Sequence, residues 1–175
     1  MRTCVTAILV LGLAGVPSAQ SANPISDGIR SQWNSAKRNL QQSAEMMPEA
    51  SYDYRPVDGV RNFGEILTHV AGASYVFCAA AKGEKSPFAE DHFEKSATTR
   101  AAIVKVTSEA IAYCDAAYTA LTDASAAQMI AQPFGEGQTP RTAVLVGNIG
   151  HLNEHYGNLV TYFRINGIVP PSSRR

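Results

Sequence analysis

Four stretches of this chain set their apolar residues three and four positions apart, and three of the four stop at a glycine or a proline. That spacing gathers apolar side chains on one face of an α-helix; a strand would need strict alternation. The first stretch runs from about Ser26 to Met46, with Ile29, Trp33, Ala36, Leu40 and Ala44 on one face and Pro48 just beyond it. The second runs from about Asn62 to Lys82, with Phe63, Ile66, Leu67, Val70 and Cys78 on a broad apolar surface and Gly83 as its stop. The third spans roughly Thr98 to Leu121 and carries Ile103, Ala110, Ile111, Cys114 and Tyr118. The fourth starts after Pro140 and reaches about Asn166, where Gly167 and two prolines end it. No strand pattern stands out, and AAQMIAQPFGEGQTP reads either as a helical turn or as an irregular loop. A chain of 175 residues is one domain's length. The expectation is an all-α fold, an antiparallel four-helix bundle.

The residues ahead of the first helix follow a different logic. Arg2 gives a positive start, Val5 to Val16 is an apolar run, and PSAQSA offers small residues for cleavage. This is the pattern of a secretory signal peptide over residues 1–22, with the folded domain over 23–175. The apolar run is short for a membrane span. Cleavage after Ala19, Ser21 or Ala22 fits equally. The protein is therefore expected to be exported, periplasmic or secreted, with no membrane contact after cleavage. Its formal net charge is zero, which weighs against nucleic acid as a partner. Of three cysteines, Cys4 leaves with the signal. Cys78 and Cys114 form an even pair in an oxidising compartment, so a disulfide is expected, with two buried thiols as the alternative.

The chemistry concentrates in the histidines, of which there are four. His151 and His155 are four apart, so on a helix they share a face with Cβ atoms about 5 to 6 Å apart. Two imidazoles so placed can converge on one cation, since metal–nitrogen bonds are about 2.0 to 2.1 Å. His69 sits inside the second helix with apolar neighbours on both sides. It is either a core ring with its own hydrogen-bond partner or a third ligand. Three histidine ligands would leave open positions for water or substrate, as catalytic sites do. His92, in EDHFEK, reads as surface. Cys78 lies nine residues past His69, about 13 Å along a helix, too far to share its metal shell.

Asn148 and Tyr162 fall on the histidine face of the fourth helix and are expected to line a pocket. Gly147, Gly150 and Gly157 flank that stripe and imply either a close neighbouring helix or room for a ligand. Glu65, one turn before His69, either orients a histidine ring, acts as a base on water, or complements the helix dipole. Tyr52, Tyr54 and Arg55 belong to a turn-rich loop that could cover part of a groove.

The segments FGEILTHVAGASYVFC and HLNEHYGNLVTYFRINGIVPPSS, with the Trp33-bearing first helix and the loop MMPEASYDYRPVDGVRNFGE, resemble the DinB-like superfamily, in a secreted subgroup. The resemblance covers about Ser26 to Ser173. It implies a four-helix bundle of up-down-down-up connectivity. It also implies one divalent metal, zinc or nickel, on three histidines, which here map to His69, His151 and His155. Relatives include thiol-dependent S-transferases and isomerases and proteins described as metal-dependent hydrolases. The expected function is metal binding with hydrolysis of a small molecule. The alternatives are S-transfer to a thiol and a non-catalytic metal-binding or interaction role. A homodimer through the outer helix faces is a further expectation.

Overall fold

The computed structural model describes residues 21–174; apart from Ser21 and Ala22, the expected signal segment, Cys4 included, lies outside the described residues. The chain is predominantly helical. Four long helices carry the core: α1 (Pro24–Met46), α2 (Phe63–Lys82), α4 (Arg100–Thr119) and α6 (Arg141–Ile165). Two short ones, α3 (His92–Ser96) and α5 (Asp123–Ala126), lie in the connections.

Local chemistry fixes where the helices start and stop. At the start of α2 the Asn62 side chain accepts the Glu65 N–H at 2.8 Å, and the Glu65 carboxylate accepts the Asn62 N–H at 2.7 Å. This reciprocal cap satisfies two amides that the first turn leaves unpaired. Gly83 ends α2 at φ +75°, a backbone conformation that costs a glycine nothing. Thr99 caps α4 by accepting the Ala102 N–H at 3.2 Å. Pro140 precedes α6 and Gly167, at φ +71°, follows it. The four long helices thus match the sequence expectation to within a few residues at each end.

The helices pack as α1 on α4 and α6, and α2 on α4 and α6. Trp33 of α1 stacks on Tyr118 of α4 at 4.3 Å, and its indole N–H donates to Asp115 at 2.7 Å. At the opposite end of that pair Arg100 donates to the Glu45 carbonyl at 2.7 Å. Helices α1 and α4 therefore run in opposite senses. So do α2 and α6, where Phe63 meets Phe163 at 5.4 Å and Phe77 lies against Gly147. The α2–α4 pair differs. Gly64 faces Ile103 near both starts and Cys78 bonds Cys114 near both ends, so these two run the same way.

The Cys78–Cys114 disulfide forms, with Cα atoms 5.3 Å apart and both residues fully buried. It closes a loop of 36 residues, which by chain entropy stabilises the fold by about 3 to 4 kcal/mol.

Two features were not legible as elements. Met129–Ala131 and Gln138–Pro140 pair antiparallel as a small hairpin (β1 and β2), with Ile130 opposite Thr139. Three residues per strand are too few for alternation to register; the cue was the turn, where Gly135 and Gly137 take φ +88° and +101°. The polar segment after Gly83 also folds back onto α2. Phe93 of α3 packs with Ala71, Tyr75 and Ala110 in a second apolar cluster. The backbone at Glu90 comes so close to α2 that a Cβ on Gly72 would strike the Glu90 carbonyl. This docking carries Glu94 to the middle of α2.

Candidate metal centre

Helix α2 supplies His69, and successive turns of α6 supply His151 and His155. Because α2 and α6 pack side by side, the three rings meet. The Nε2 atoms of His69 and His151 are 3.2 Å apart, and those of His151 and His155 are 3.1 Å apart. One ligand atom from each residue lies within 4.8 Å of the others. Among the described residues this is the group of histidine, cysteine or acidic side chains able to hold an ion.

The spacing can be tested against metal geometry. Bonds of about 2.05 Å set nitrogens about 2.9 Å apart at right angles and about 3.4 Å apart at the tetrahedral angle. The observed separations fall between these limits. Three nitrogens facing one point also fit poorly as an ordinary hydrogen-bonded cluster. A neutral imidazole has a single N–H, and His69 is spending its own elsewhere. The donor set therefore fits a divalent ion, and its three neutral nitrogens suit zinc or nickel chemistry.

Glu94 sets the tautomer of His69. Its Oε1 lies 3.0 Å from His69 Nδ1, and an ionised carboxylate can only accept. Nδ1 therefore donates to Glu94, which leaves the Nε2 lone pair directed at the other two rings. Arg61 steadies Glu94 from the far side through Nε at 3.4 Å and Nη2 at 3.3 Å. His151 and His155 lack such a partner among the described residues; the Nδ1 atom of each is buried and unpaired. Burial, with the neighbouring His155 and His69, lowers the His151 pKa from 6.5 to about 4. Burial and the neighbouring His69 also lower that of His155. Both rings are thus deprotonated near neutrality, as metal ligands must be.

One side of the cluster is shut by Phe77, whose ring lies 6.0 Å from that of His151 and 5.0 Å from that of Phe134 on the hairpin. The other side opens at His155 into a cavity of about 610 Å³, bordered by Arg55, Arg61, Glu65, Asn158 and Tyr162. The Tyr162 hydroxyl donates to the Arg61 carbonyl at 2.8 Å, and burial raises its pKa. Tyr162 is therefore a fixed wall that also holds the Arg61 loop in place.

Of the expected pocket residues, Tyr162 and Glu65 border the cavity and Asn148 does not. Asn148 is corrected: it is fully buried, and its amide donates to the Tyr118 hydroxyl at 3.1 Å and faces the disulfide sulfurs. Its place on the histidine face of α6 held only as a helical angle; one turn nearer the N-terminus, that face meets α4. Among the described residues Glu65 makes no hydrogen bond to a histidine. Its carboxylate is committed to the cap of α2 and to Arg55, at 3.2 and 3.3 Å. Arg55 reaches the cavity, whereas Tyr52 is buried in the core against Phe63 and Tyr54 packs edge-on to Tyr162. Of the three flanking glycines, Gly147 makes ordinary contact with Phe77, and Gly150 and Gly157 have open space where a Cβ would go. The close approach is at Gly72 instead. Glu94 was missed altogether because it lies in a charged segment; the signal was Phe93, an aromatic anchor amid polar neighbours.

With this geometry in place, comparison with known proteins is informative. The sequence model of the DinB superfamily matches residues 32–159. A DinB-like protein from Bacillus cereus is similar in structure, with a TM-score of 0.65 at 18% identity, over 83% of this chain and 95% of that one. A DinB-like protein from Bacillus subtilis gives 0.61 at 22% identity, over 85% and 99%. A mycothiol-dependent maleylpyruvate isomerase gives 0.60 at 13% identity, over 77% of this chain and 60% of the isomerase. At these identities the likeness speaks for the fold. No curated protein matches the chain.

Proposed function

This chain belongs to the DinB superfamily, and from that premise we propose that it is an exported metalloprotein acting on a small molecule. In this reading one divalent ion, zinc or nickel, sits on His69, His151 and His155. The observation that carries it is the meeting of three Nε2 atoms, 3.1 to 3.2 Å apart along the chain of contacts, beside an open cavity. Such an ion would supply Lewis acidity, bringing the pKa of a water down to about 7. The favoured reaction is hydrolysis. The chain's own part is to hold three imidazole nitrogens facing one point, to shut the Phe77 side, and to leave the His155 side accessible to water and substrate.

The connectivity belongs to the same reading: an up-down-down-up bundle, supported by opposite senses in α1–α4 and α2–α6 and a shared sense in α2–α4. Export rests on the N-terminal sequence pattern and on the disulfide, which an oxidising compartment favours.

The test is elemental analysis of the mature protein, alone and as His69→Ala and His155→Ala. About one ion per chain in the wild type, lost in both variants, is expected. Metal content near zero after growth with zinc, nickel, iron or manganese supplied would remove the site.

A second reading is S-transfer to a thiol, favoured by the fold likeness to the mycothiol-dependent isomerase. It requires a low-molecular-weight thiol in the exported compartment, and saturable binding of such a thiol to the metal-loaded protein would favour it. If metal binds and no turnover is found with esters, amides or thiols, the non-catalytic metal-holding role stands.

A further inference from the structure

We propose that the cavity beside the three histidines takes a small organic carboxylate, gripped by Arg55 and Arg61. The placement of its reacting end toward His155 rests on the metal-centre reading above; the grip on the carboxylate does not.

Charge is the first argument. The cavity is bordered by two guanidiniums and a single carboxylate, Glu65, with Asn158 adding a neutral amide. An ion on three neutral imidazoles would add two more positive charges. A neutral or cationic ligand gains nothing from that field, whereas an anion is drawn into it.

Availability is the second. Each arginine already meets a carboxylate, but neither is used up. Arg55 offers only Nη2 to Glu65, which leaves Nε and Nη1. Arg61 uses Nε and Nη2 on Glu94, which leaves Nη1. The acids are themselves committed, Glu65 to the α2 cap and Glu94 to His69. They orient the guanidiniums without using up their N–H donors. Both arginine side chains remain about 40% exposed (39% and 42%), so a ligand can reach them. Arg61 and His155 border the same cavity.

Preorganisation is the third. The turn that carries both arginines is tied down at its two ends. The Tyr54 carbonyl accepts the Phe63 N–H at 3.0 Å, and the Arg61 carbonyl accepts the Tyr162 hydroxyl. Between them Gly59 takes φ +86°, which turns the loop over the cavity. A planar carboxylate matches the planar guanidinium fork, so it is the anion that this pair of donors fits best. Val60 and Ile66 border the same space and suit an apolar body behind the carboxylate.

The experiment is calorimetric titration of the zinc-loaded mature protein with benzoate and with benzamide, its neutral counterpart, at low salt. Benzoate is expected to bind at least about tenfold more tightly than benzamide, in line with charge-assisted pairing. Arg55→Gln and, separately, Arg61→Gln are expected to cut that preference by about fivefold or more, with benzamide binding unchanged. Equal binding of the two probes by the wild type overturns the proposal. So does a preference that survives in both variants, since the carboxylate would then be held without the arginines. Zinc content measured on the same samples judges the metal reading separately. A protein that takes up no zinc yet prefers benzoate through Arg55 keeps the carboxylate site and loses the metal centre.

Discussion

His69 Nδ1 lies 3.0 Å from Glu94 Oε1, across a sequence separation of 25 residues. This contact decides which nitrogen of His69 is free to bind an ion. Removing it in Glu94→Ala should weaken metal binding about 10- to 100-fold, the usual cost of losing the partner of a ligating histidine. Glu94→Gln keeps an acceptor for the Nδ1 proton and should lose less. Chelator competition measures both. Equal affinity in wild type and Glu94→Ala would show that packing alone orients the ring.

The contact also shows where sequence reasoning stops. Periodicity placed His69, His151 and His155 on their helices, and the four-residue spacing of the last two fixed a shared face. Nothing in the periodicity of α2 or α6 refers to Glu94. It arrives because Phe93 fills a pocket made by Ala71, Tyr75 and Ala110, and because Gly72 lets the backbone at Glu90 approach. Such tertiary docking of a short, charged segment leaves no pattern of its own. Asn148 shows the reverse failure: it had the correct helical angle, but at its level along α6 that face points at Tyr118 and the disulfide.

The imidazoles tie stability to pH. The pKa of His151 is lowered from 6.5 to about 4 in the folded state. Between those values the unfolded chain takes up a proton that the folded chain refuses. Stability is therefore full above about pH 6.5 and is lost as pH falls toward 4. His155, also lowered, adds to the same slope. Urea midpoints of the metal-stripped protein from pH 7.5 to 5 should fall, and His151→Gln should flatten the fall. A slope unchanged in that variant would mean that carboxylates alone account for it.

The disulfide and the metal centre should separate by mutation. Cys78 and Cys114 tie α2 to α4, and Cys78 lies nine residues, about 13 Å, along α2 from His69. Replacing both with alanine should cost about 2 to 5 kcal/mol of stability, the usual range for a native disulfide. Metal stoichiometry in the folded fraction should stay at that of the wild type. Loss of the ion from a still-folded double variant would show that the disulfide, through Asn148 one turn before His151, sets the centre's geometry.

Glycines in the two helices that carry the histidine cluster should respond in opposite directions. Gly150 is exposed, inside α6, with nothing within 4 Å of the place a Cβ would occupy. Gly150→Ala relieves the entropy cost of glycine in a helix and should stabilise the protein by about 0.5 to 1 kcal/mol. Gly72 is also in a helix interior, so propensity alone predicts the same gain. Its added Cβ, however, would meet the Glu90 carbonyl, and backbone cannot swing aside as a side chain can. Gly72→Ala should therefore destabilise by about 1 to 3 kcal/mol, as overpacking does. The movement that relieves the clash is a lifting of the 84–97 segment, which carries Glu94 off His69. Metal affinity should fall with stability in Gly72→Ala and stay unchanged in Gly150→Ala, as read by thermal melts and chelator competition on the same samples. A Gly72→Ala protein as stable as the wild type, with its metal affinity intact, would show that the segment has another way to seat itself and that Glu94 does not depend on this contact.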